Sequence, residues 1–198
     1  ASAEPVLLIS IDGLQPDDVI EADNRGIDIP NLKRFITQGS YAQGVRGVLP
    51  TVTYPSHATL ITGVSPSRHG IFGNNSFDPL QINQGGWYWY ATDFRVPTLW
   101  DIAAKAKLTT ANVHWPVSVN ASAVKWNLPQ IWRTGHTDDA KLMKSVATQG
   151  LIESLESHLG AYAPGIDESI EGDENRGRAG AVAGGKHVLQ PGIKADRP

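Results

Sequence analysis

The feature that most constrains the fold is a continuous apolar run, VLLISI at residues 6–11, which ends abruptly at Asp12 and Gly13. A short run that is rich in β-branched residues and does not alternate with polar ones predicts a strand buried on both faces, as in a parallel sheet. Asp12 then lies at the carboxyl end of that strand, the edge where open α/β sheets bind ligands. An acid here is also suited to capping the next helix, so the run alone leaves both roles open.

Helical and extended patterns alternate along the rest of the chain. Pro30 and Gly39 delimit one predicted helix, and residues 40–49 form a second extended segment. Ser56 is a predicted N-cap for a short helix that stops at Gly63. Further on, the sequence predicts an amphipathic helix at 96–107, a strand at 108–116 that ends at Trp115 and Pro116, and one or two helices at 138–159. The alternation predicts the α/β class, with a mostly parallel sheet flanked by helices.

Composition excludes several classes of function. The 198 residues carry a formal net charge of -3, which gives no electrostatic support for binding a nucleic-acid polymer. The chain has no cysteine, which excludes thiolate metal sites, a cysteine nucleophile and disulfides. No stretch reaches the roughly 20 apolar residues of a membrane span. The start, ASAEP, resembles a chain trimmed after a small-x-small signal, so we expect a periplasmic or secreted protein.

The segment LPTVTYPSHATLITG, residues 49–63, places Thr53 in a proline-flanked loop before a predicted helix. The N-terminus of a helix offers backbone N–H groups and a favourable dipole to a phosphate oxygen. Asn74 follows another turn, in RHGIFGNN. By itself Thr53 is an ordinary β-branched loop residue, and Asn74 is an ordinary turn residue that tolerates left-handed backbone.

Three separated motifs, LLISIDGL, PTVTYPSHATLITG and RHGIFGN, occur in this order, with HWP further on. They resemble the type I phosphodiesterase/nucleotide pyrophosphatase family of the alkaline phosphatase superfamily, over about residues 5–118. The resemblance implies an alkaline-phosphatase-like fold and makes Asp12 a zinc ligand. Thr53 would be the nucleophile and a ligand of the same zinc, and Asn74 a donor to a phosphoryl oxygen. Tyr54 occupies the position of an aromatic residue that stacks on a nucleoside.

The implied chemistry suits these residue types. A threonine hydroxyl is a poor nucleophile near neutral pH, and zinc favours its ionised form. Attack by Thr53 on phosphorus would give a covalent phospho-threonine intermediate that water then hydrolyses, with two zinc ions per complete site. The Asn74 side chain and the Tyr54 backbone N–H would stabilise charge on a non-bridging oxygen. The expected substrate is a small phosphodiester or a nucleotide.

The residues of the loop that contains Thr53 distinguish this chain from other families of the same superfamily. Sulfatases carry a cysteine or serine that is oxidised to formylglycine, in a C/S-x-P-x-R pattern. Thr53 cannot form that aldehyde and His57 stands in place of the arginine, so the sequence argues against a sulfatase. Phosphonoacetate hydrolases share a threonine nucleophile and stay open as an alternative. A degenerate domain that binds a nucleotide or a partner without chemistry also stays open.

The zinc ligands that the resemblance implies are incomplete. The family supplies more of them through a D-x-x-x-H motif, an Asp-His pair and a late histidine, and this chain has neither of the first two patterns. The remaining candidate zinc ligands do not have the spacing of the family's ligand motifs; they are His114, His136, Asp138, Asp139, His158 and His187. We therefore expect residues 1–176 to be an N-terminal part of the full domain. Residues 177–198, rich in Gly and Ala, are expected to be a truncated or altered tail without regular structure.

Three further side-chain groups have packing interpretations. His57 and His69 are expected to pack and form hydrogen bonds rather than to bind metal. The run Trp87 to Tyr90 alternates with a period of two, which favours a packing or rim element over a platform for stacking a ligand.

Overall fold

A computed structural model describes residues 4–80, 82, 86–131, 136–162 and 170–184. The chain divides into two compact units, Ala1–Gly47 and Val48–Pro198. The described residues form a mixed α/β structure, in which the only regular sheet is small and parallel.

The first unit is helical where it is regular. Helix α1 is Pro16–Ile20, and helix α2 is Pro30–Gln38 with Gly39 as its C-cap. The second helix therefore confirms the predicted start at Pro30 and stop at Gly39, because proline fits the first turn of a helix and glycine ends it.

The predicted strand at residues 6–11 is wrong for this structure. None of these residues belongs to a strand, and Val6 and Ile9 are 94% and 64% exposed. A strand persists only where a neighbouring strand accepts and donates its backbone hydrogen bonds, and the two strands among the described residues are elsewhere in the chain. The predicted extended segment at 40–49 likewise forms no strand.

The second unit begins with two helices and contains the sheet. Helix α3 is Thr53–Thr62, α4 is Pro66–His69, and a 3₁₀ turn spans Ala91–Asp93. Helix α5, Leu99–Lys105, confirms the predicted amphipathic helix, and Thr98 caps it by accepting a hydrogen bond from the Asp101 N–H. Strands β1, Ala111–Val113, and β2, Trp126–Leu128, pair in parallel with Asn112 opposite Asn127.

The remaining helices cover the sheet. Helices α6, Asp139–Val146, and α7, Leu151–Leu159, confirm the helical prediction for 138–159. Their apolar faces join Leu128 and Val119 in the largest buried cluster, which also includes Met143, Leu155 and Tyr162. Burial of such apolar side chains, at about 1.5–3 kcal/mol for each large one, is the main stabilisation of this part of the unit.

Helix α8, Ile170–Gly184, crosses the predicted boundary between residues 176 and 177. Ala179 is fully buried in the same apolar cluster, so the start of the Gly/Ala-rich segment is packed against the unit rather than irregular. Small side chains allow the helix backbone to approach its neighbours closely. The prediction for 185–198 lies outside the described residues. In the part of the chain that is described, no helix has the length and apolarity needed to cross a membrane.

Candidate active site

Thr53 is the first residue of helix α3, not a loop residue ahead of it. The N-cap is Val52, with extended backbone, so the prediction of Ser56 as N-cap is wrong by four positions. Pro55 is tolerated in the first helical turn, where its missing N–H removes no helical hydrogen bond, and the helix is thereby able to begin before it. Gly63 adopts left-handed backbone with φ 70° and ends the helix, as predicted.

Asn74 lies at the start of this helix. Its Oδ1 accepts a hydrogen bond from the Tyr54 backbone N–H at 2.9 Å, across 20 residues of sequence. The contact fixes the orientation of the amide, because an N–H group bonds the oxygen side and not the NH₂ side. The Nδ2 group of Asn74 is therefore the face of the amide that is able to donate to an anion at the N-terminus of α3.

Tyr54 differs from the prediction in both of its expected roles. Its ring is fully buried and meets the Trp87 ring edge-on, with the centroids 5.2 Å apart, so it presents no face for a nucleoside to stack on. Burial raises the pKa of its hydroxyl above the ordinary value. Its N–H is engaged by Asn74 instead of being directed at a phosphoryl oxygen. In this structure Tyr54 therefore positions Asn74 and packs in the core.

His57 supports the first turn of α3. Its Nδ1 lies 2.8 Å from the Thr53 carbonyl oxygen, and since a carbonyl only accepts, Nδ1 carries the proton and donates. The imidazole also meets the Trp115 indole edge-on at 5.2 Å between centroids. The predicted packing and hydrogen-bonding role of His57 matches these contacts.

His69 ties helix α4 to helix α3. Its side chain is fully buried, its Nδ1 accepts from the Ile71 N–H at 3.1 Å, and its Nε2 lies 3.1 Å from Thr59 Oγ1. With Nδ1 occupied as an acceptor, the neutral ring holds its proton on Nε2 and donates to Thr59. Burial lowers the pKa of His69, and a hydrogen bond to the Pro55 backbone partly offsets that effect. These contacts match the structural role expected from the sequence.

A buried polar network behind the HWP segment was missed by sequence reasoning. Asn112 donates from Nδ2 to Ser118 Oγ at 3.0 Å and to Asn127 Oδ1 at 2.7 Å, and its Oδ1 accepts from the Trp115 N–H at 3.0 Å. Asn127 in turn donates to the Ser118 carbonyl at 2.7 Å. Such a satisfied network fixes the backbone that carries Trp115, and through it the ring against His57. The available signal was two asparagines inside otherwise apolar strand sequences.

Asp12 belongs to the first unit and lies in an exposed turn followed by Gly13, whose φ is 74°. The alternative role as a helix cap is not what the structure has. Helix α1 begins at Pro16 with Gln15 as its N-cap, and the Gln15 N–H donates to Asp18 Oδ2 at 3.3 Å. Asp12 therefore stays a proposed ligand on the strength of its carboxylate and its motif.

The described residues contain no group of three or more His, Cys, Asp or Glu side chains placed to hold a metal ion. His114 instead hydrogen-bonds the Tyr162 hydroxyl, and the Asp139 carboxylate accepts from the His136 backbone N–H at 2.8 Å. His187 lies outside the described residues. The oxygen donors of Asp12 and Thr53 suit zinc, but the described side chains do not complete a zinc site by themselves.

The chain is similar in sequence to one family of known proteins. The sequence model described as type I phosphodiesterase/nucleotide pyrophosphatase matches residues 6–166. The chain is 28% identical over 137 residues to ectonucleotide pyrophosphatase/phosphodiesterase family member 3 of Rattus norvegicus, covering 65% of this chain and 15% of that protein. It is 31% identical over 126 residues to the venom phosphodiesterase of Naja atra, covering 60% and 15%. It is 35% identical over 80 residues to a bis(5′-adenosyl)-triphosphatase of Mus musculus, covering 40% and 16%. The matched segment is thus a small part of each relative's length.

Proposed function

Since the chain belongs to the type I phosphodiesterase/nucleotide pyrophosphatase family, we propose that it takes part in hydrolysis of phosphodiester or nucleotide pyrophosphate bonds. The observation that carries the proposal is the arrangement at the start of helix α3. Thr53 is the first helical residue, and Asn74 is held beside it through the Tyr54 N–H. The names of the relatives, which include phosphodiesterases and a triphosphatase, support the same class of reaction.

In the proposed reaction the Thr53 Oγ attacks phosphorus, and its proton passes to solvent water. The bond from phosphorus to the leaving oxygen breaks, and the leaving group departs with the bonding electrons. The remaining part of the substrate stays bound as a phosphate ester of Thr53 Oγ. Water then cleaves the bond from phosphorus to Oγ, which regenerates the threonine hydroxyl and releases the second product as a phosphate. Splitting the displacement in this way replaces one difficult step by two easier ones.

Asn74 would stabilise the negative charge that develops on a non-bridging oxygen. Its amide is pre-oriented by the 2.9 Å bond from the Tyr54 N–H, so no reorganisation is needed when charge develops. The partial positive charge at the N-terminus of α3 acts in the same direction. His57 contributes indirectly, because its bond to the Thr53 carbonyl holds the first turn in place.

We propose further that the reaction depends on zinc, with Asp12 and Thr53 among its ligands and an alkaline-phosphatase-like domain as the setting. Zinc, when bound, would supply a lowered pKa for a coordinated hydroxyl or water. Among the described residues, no group of three or more His, Cys, Asp or Glu side chains is placed to complete the zinc site. We therefore expect the isolated 198-residue chain to bind zinc weakly and to turn over slowly. The substrate would be a small nucleotide or phosphodiester. The protein would be periplasmic or secreted, since the words "ectonucleotide" and "venom" in the relatives' names suggest a location outside the cell.

The test is hydrolysis of bis(p-nitrophenyl) phosphate with and without zinc, for the wild type and for Thr53→Ala. The proposal expects p-nitrophenolate release that a chelator abolishes, that zinc restores and that Thr53→Ala removes. Near-wild-type release of p-nitrophenolate by Thr53→Ala would refute the assignment of Thr53 as the nucleophile. Phosphate-ester binding without any Thr53-dependent release would instead favour a domain that binds its ligand without chemistry.

A further inference from the structure

We propose that Asn120 is an acceptor for an N-linked glycan. The chain contains two sequences of the form Asn-x-Ser in which x is not proline, at residues 74–76 and 120–122. This pattern is the recognition sequence for N-linked glycosylation of secreted proteins. The proposal goes beyond the proposed hydrolysis, and it rests on the proposed secreted location of the protein.

Asn120 lies in a tight turn that the fold holds in place. The Ala121 N–H donates to the Ser118 carbonyl at 3.1 Å, which makes Asn120 the third residue of a four-residue turn. Its φ of 59° is a left-handed conformation that asparagine tolerates better than most residues do. Val119, directly before it, forms a parallel bridge with Tyr90. The turn is therefore a fixed feature of the second unit rather than an irregular loop.

The two residues of the recognition sequence that the glycosylating enzyme reads are exposed, and their neighbours are buried. Asn120 and Ser122 are exposed, whereas Ala121 is 9% exposed and Val124 is 7% exposed. Both buried residues belong to the apolar cluster that contains Trp115. The backbone is thus anchored by apolar side chains, and a glycan joined to Asn120 displaces no buried group. A bulky polar glycan is tolerated at such a surface position.

A small cavity beside Asn120 has room for the first sugar ring. Its volume is about 160 Å³, and Asn120 and Ser122 are among its lining residues. Free small molecules usually occupy sites of about 300–1,000 Å³, so a cavity of this size suits a single ring that is already joined to the chain. Phe94 offers apolar surface to the face of a ring, and Thr92 and Asp101 offer oxygen atoms to its hydroxyl groups.

The other Asn-x-Ser sequence has a different environment. Asn74 is half-buried, and its Oδ1 accepts from the Tyr54 N–H at the start of helix α3. The Ser76 Oγ donates to the Gly86 carbonyl at 3.0 Å. A glycan on Asn74 Nδ2 would crowd these packed contacts and block the position proposed for the phosphoryl group. We therefore expect folded chains to carry a glycan at Asn120 and none at Asn74.

The transfer step needs a lipid-linked oligosaccharide, which is the donor that oligosaccharyltransferases use in the secretory pathway. The Asn120 Nδ2 forms a bond to the first anomeric carbon of the oligosaccharide and loses one proton to solvent water. The bond from that carbon to the lipid diphosphate breaks, and the diphosphate leaves with the bonding electrons. The Ser122 hydroxyl is recognised by the transferase and is not consumed.

The test secretes the whole chain from insect cells behind a cleavable signal peptide. Peptide N-glycosidase in heavy-oxygen water then converts each glycosylated asparagine to a labelled aspartate, which peptide mass spectrometry locates. We expect the label at position 120 in most of the secreted chains and none at position 74. Ser122→Ala should remove the label at position 120, whereas Ser122→Thr should keep it, because threonine also completes the recognition sequence.

The matched control is Ser76→Ala, which removes the hydroxyl of the other Asn-x-Ser sequence and should leave the label at position 120 intact. Absence of the label at position 120 from both the secreted chain and the chain retained inside the cells would overturn the proposal. A label at position 120 in the retained chain alone would overturn it too, because the folded state would then exclude the glycan.

The outcome is independent of the proposed hydrolysis. A label at position 120 without any Thr53-dependent hydrolysis would support the glycan site and refute the proposed function. Hydrolysis by secreted chains that carry no label at position 120 would do the reverse.

Discussion

The hydrogen bond between the Tyr54 N–H and Asn74 Oδ1 predicts that two substitutions of Asn74 differ in stability although both lose activity. Asn74→Ala removes the acceptor and leaves a partly buried helical N–H group without its partner. Losing such a partner costs about 1–3 kcal/mol, and losing a helix cap typically costs about 1 kcal/mol. We therefore expect Asn74→Ala to lower the free energy of unfolding by about 1–2 kcal/mol.

Asn74→Asp keeps an oxygen acceptor in the same place. A carboxylate at the N-terminus of α3 is also favoured by the helix dipole, by about 0.3–1 kcal/mol. The stability of Asn74→Asp should therefore stay within about 0.5 kcal/mol of the wild type or rise slightly. The carboxylate cannot donate a hydrogen bond and it repels an anionic phosphodiester, so hydrolysis should fall about 10²–10³-fold in both variants.

Chemical unfolding followed by tryptophan fluorescence measures the free energy of unfolding of each variant. All six tryptophans lie in the unit that begins at Val48, so the signal reports the unit that holds Asn74. The control is Asn31→Ala, which removes an exposed asparagine from helix α2 in the other unit and should leave the transition unchanged. Equal destabilisation by Asn74→Ala and Asn74→Asp would refute the assigned acceptor role. Full hydrolysis by Asn74→Asp would refute the donor role.

Two further predictions concern buried polar groups. The Tyr54 hydroxyl is buried and finds no hydrogen-bond partner among the described residues. Tyr54→Phe should therefore unfold at the same or a higher urea concentration than the wild type. A decrease of more than about 1 kcal/mol in the free energy of unfolding would contradict this. Burial, reinforced by the positive charge of Arg176, lowers the pKa of His114 to about 3, so the unfolded chain binds more protons below pH 6.5. Stability should fall as pH drops from about 6.5 toward 3, by at most about 1.4 kcal/mol per pH unit for this group. His114→Asn, which tolerates the left-handed φ of 57°, should reduce that slope, and an unchanged slope would contradict it.

Local signals predicted the helix ends well. Pro30 with Gly39, and Gly63 with its left-handed backbone, delimit helices as expected because their conformational preferences act within a few residues. Ser56 misled because the same local rules place proline in the first turn, and Pro55 allows the helix to begin at Thr53. A side chain suited to capping does not cap when a better start lies upstream.

The strands were harder to predict because a strand depends on partners that its own sequence does not contain. Residues 6–11 have a typical buried-strand composition, yet Val6 and Ile9 are exposed and no strand forms. Strand β2 has only three residues and is followed directly by Pro129, so its pattern is too short to recognise. Its pairing is fixed by the buried Asn112–Asn127 contact, which joins residues 15 positions apart.

The candidate site shows the same limit on a smaller scale. The family resemblance gave Asn74 a role at a phosphoryl oxygen, and it gave Tyr54 a ring that stacks on a nucleoside and an N–H directed at substrate. The structure instead uses the ring for packing against Trp87 and the N–H for holding Asn74. Which of several possible partners a group takes depends on the packing of residues distant in sequence, and that information is not local.

The central claim is that Thr53 attacks phosphorus. Its most direct test is to mix the zinc-supplemented protein with bis(p-nitrophenyl) phosphate, quench with acid within the first turnover and locate the adduct by peptide mass spectrometry. We expect a p-nitrophenyl phosphoryl group to form on Thr53 as one equivalent of p-nitrophenolate is released, and we expect this adduct to be missing in Thr53→Ala. Turnover of the substrate with no adduct on Thr53, or with the adduct on another residue, would contradict it.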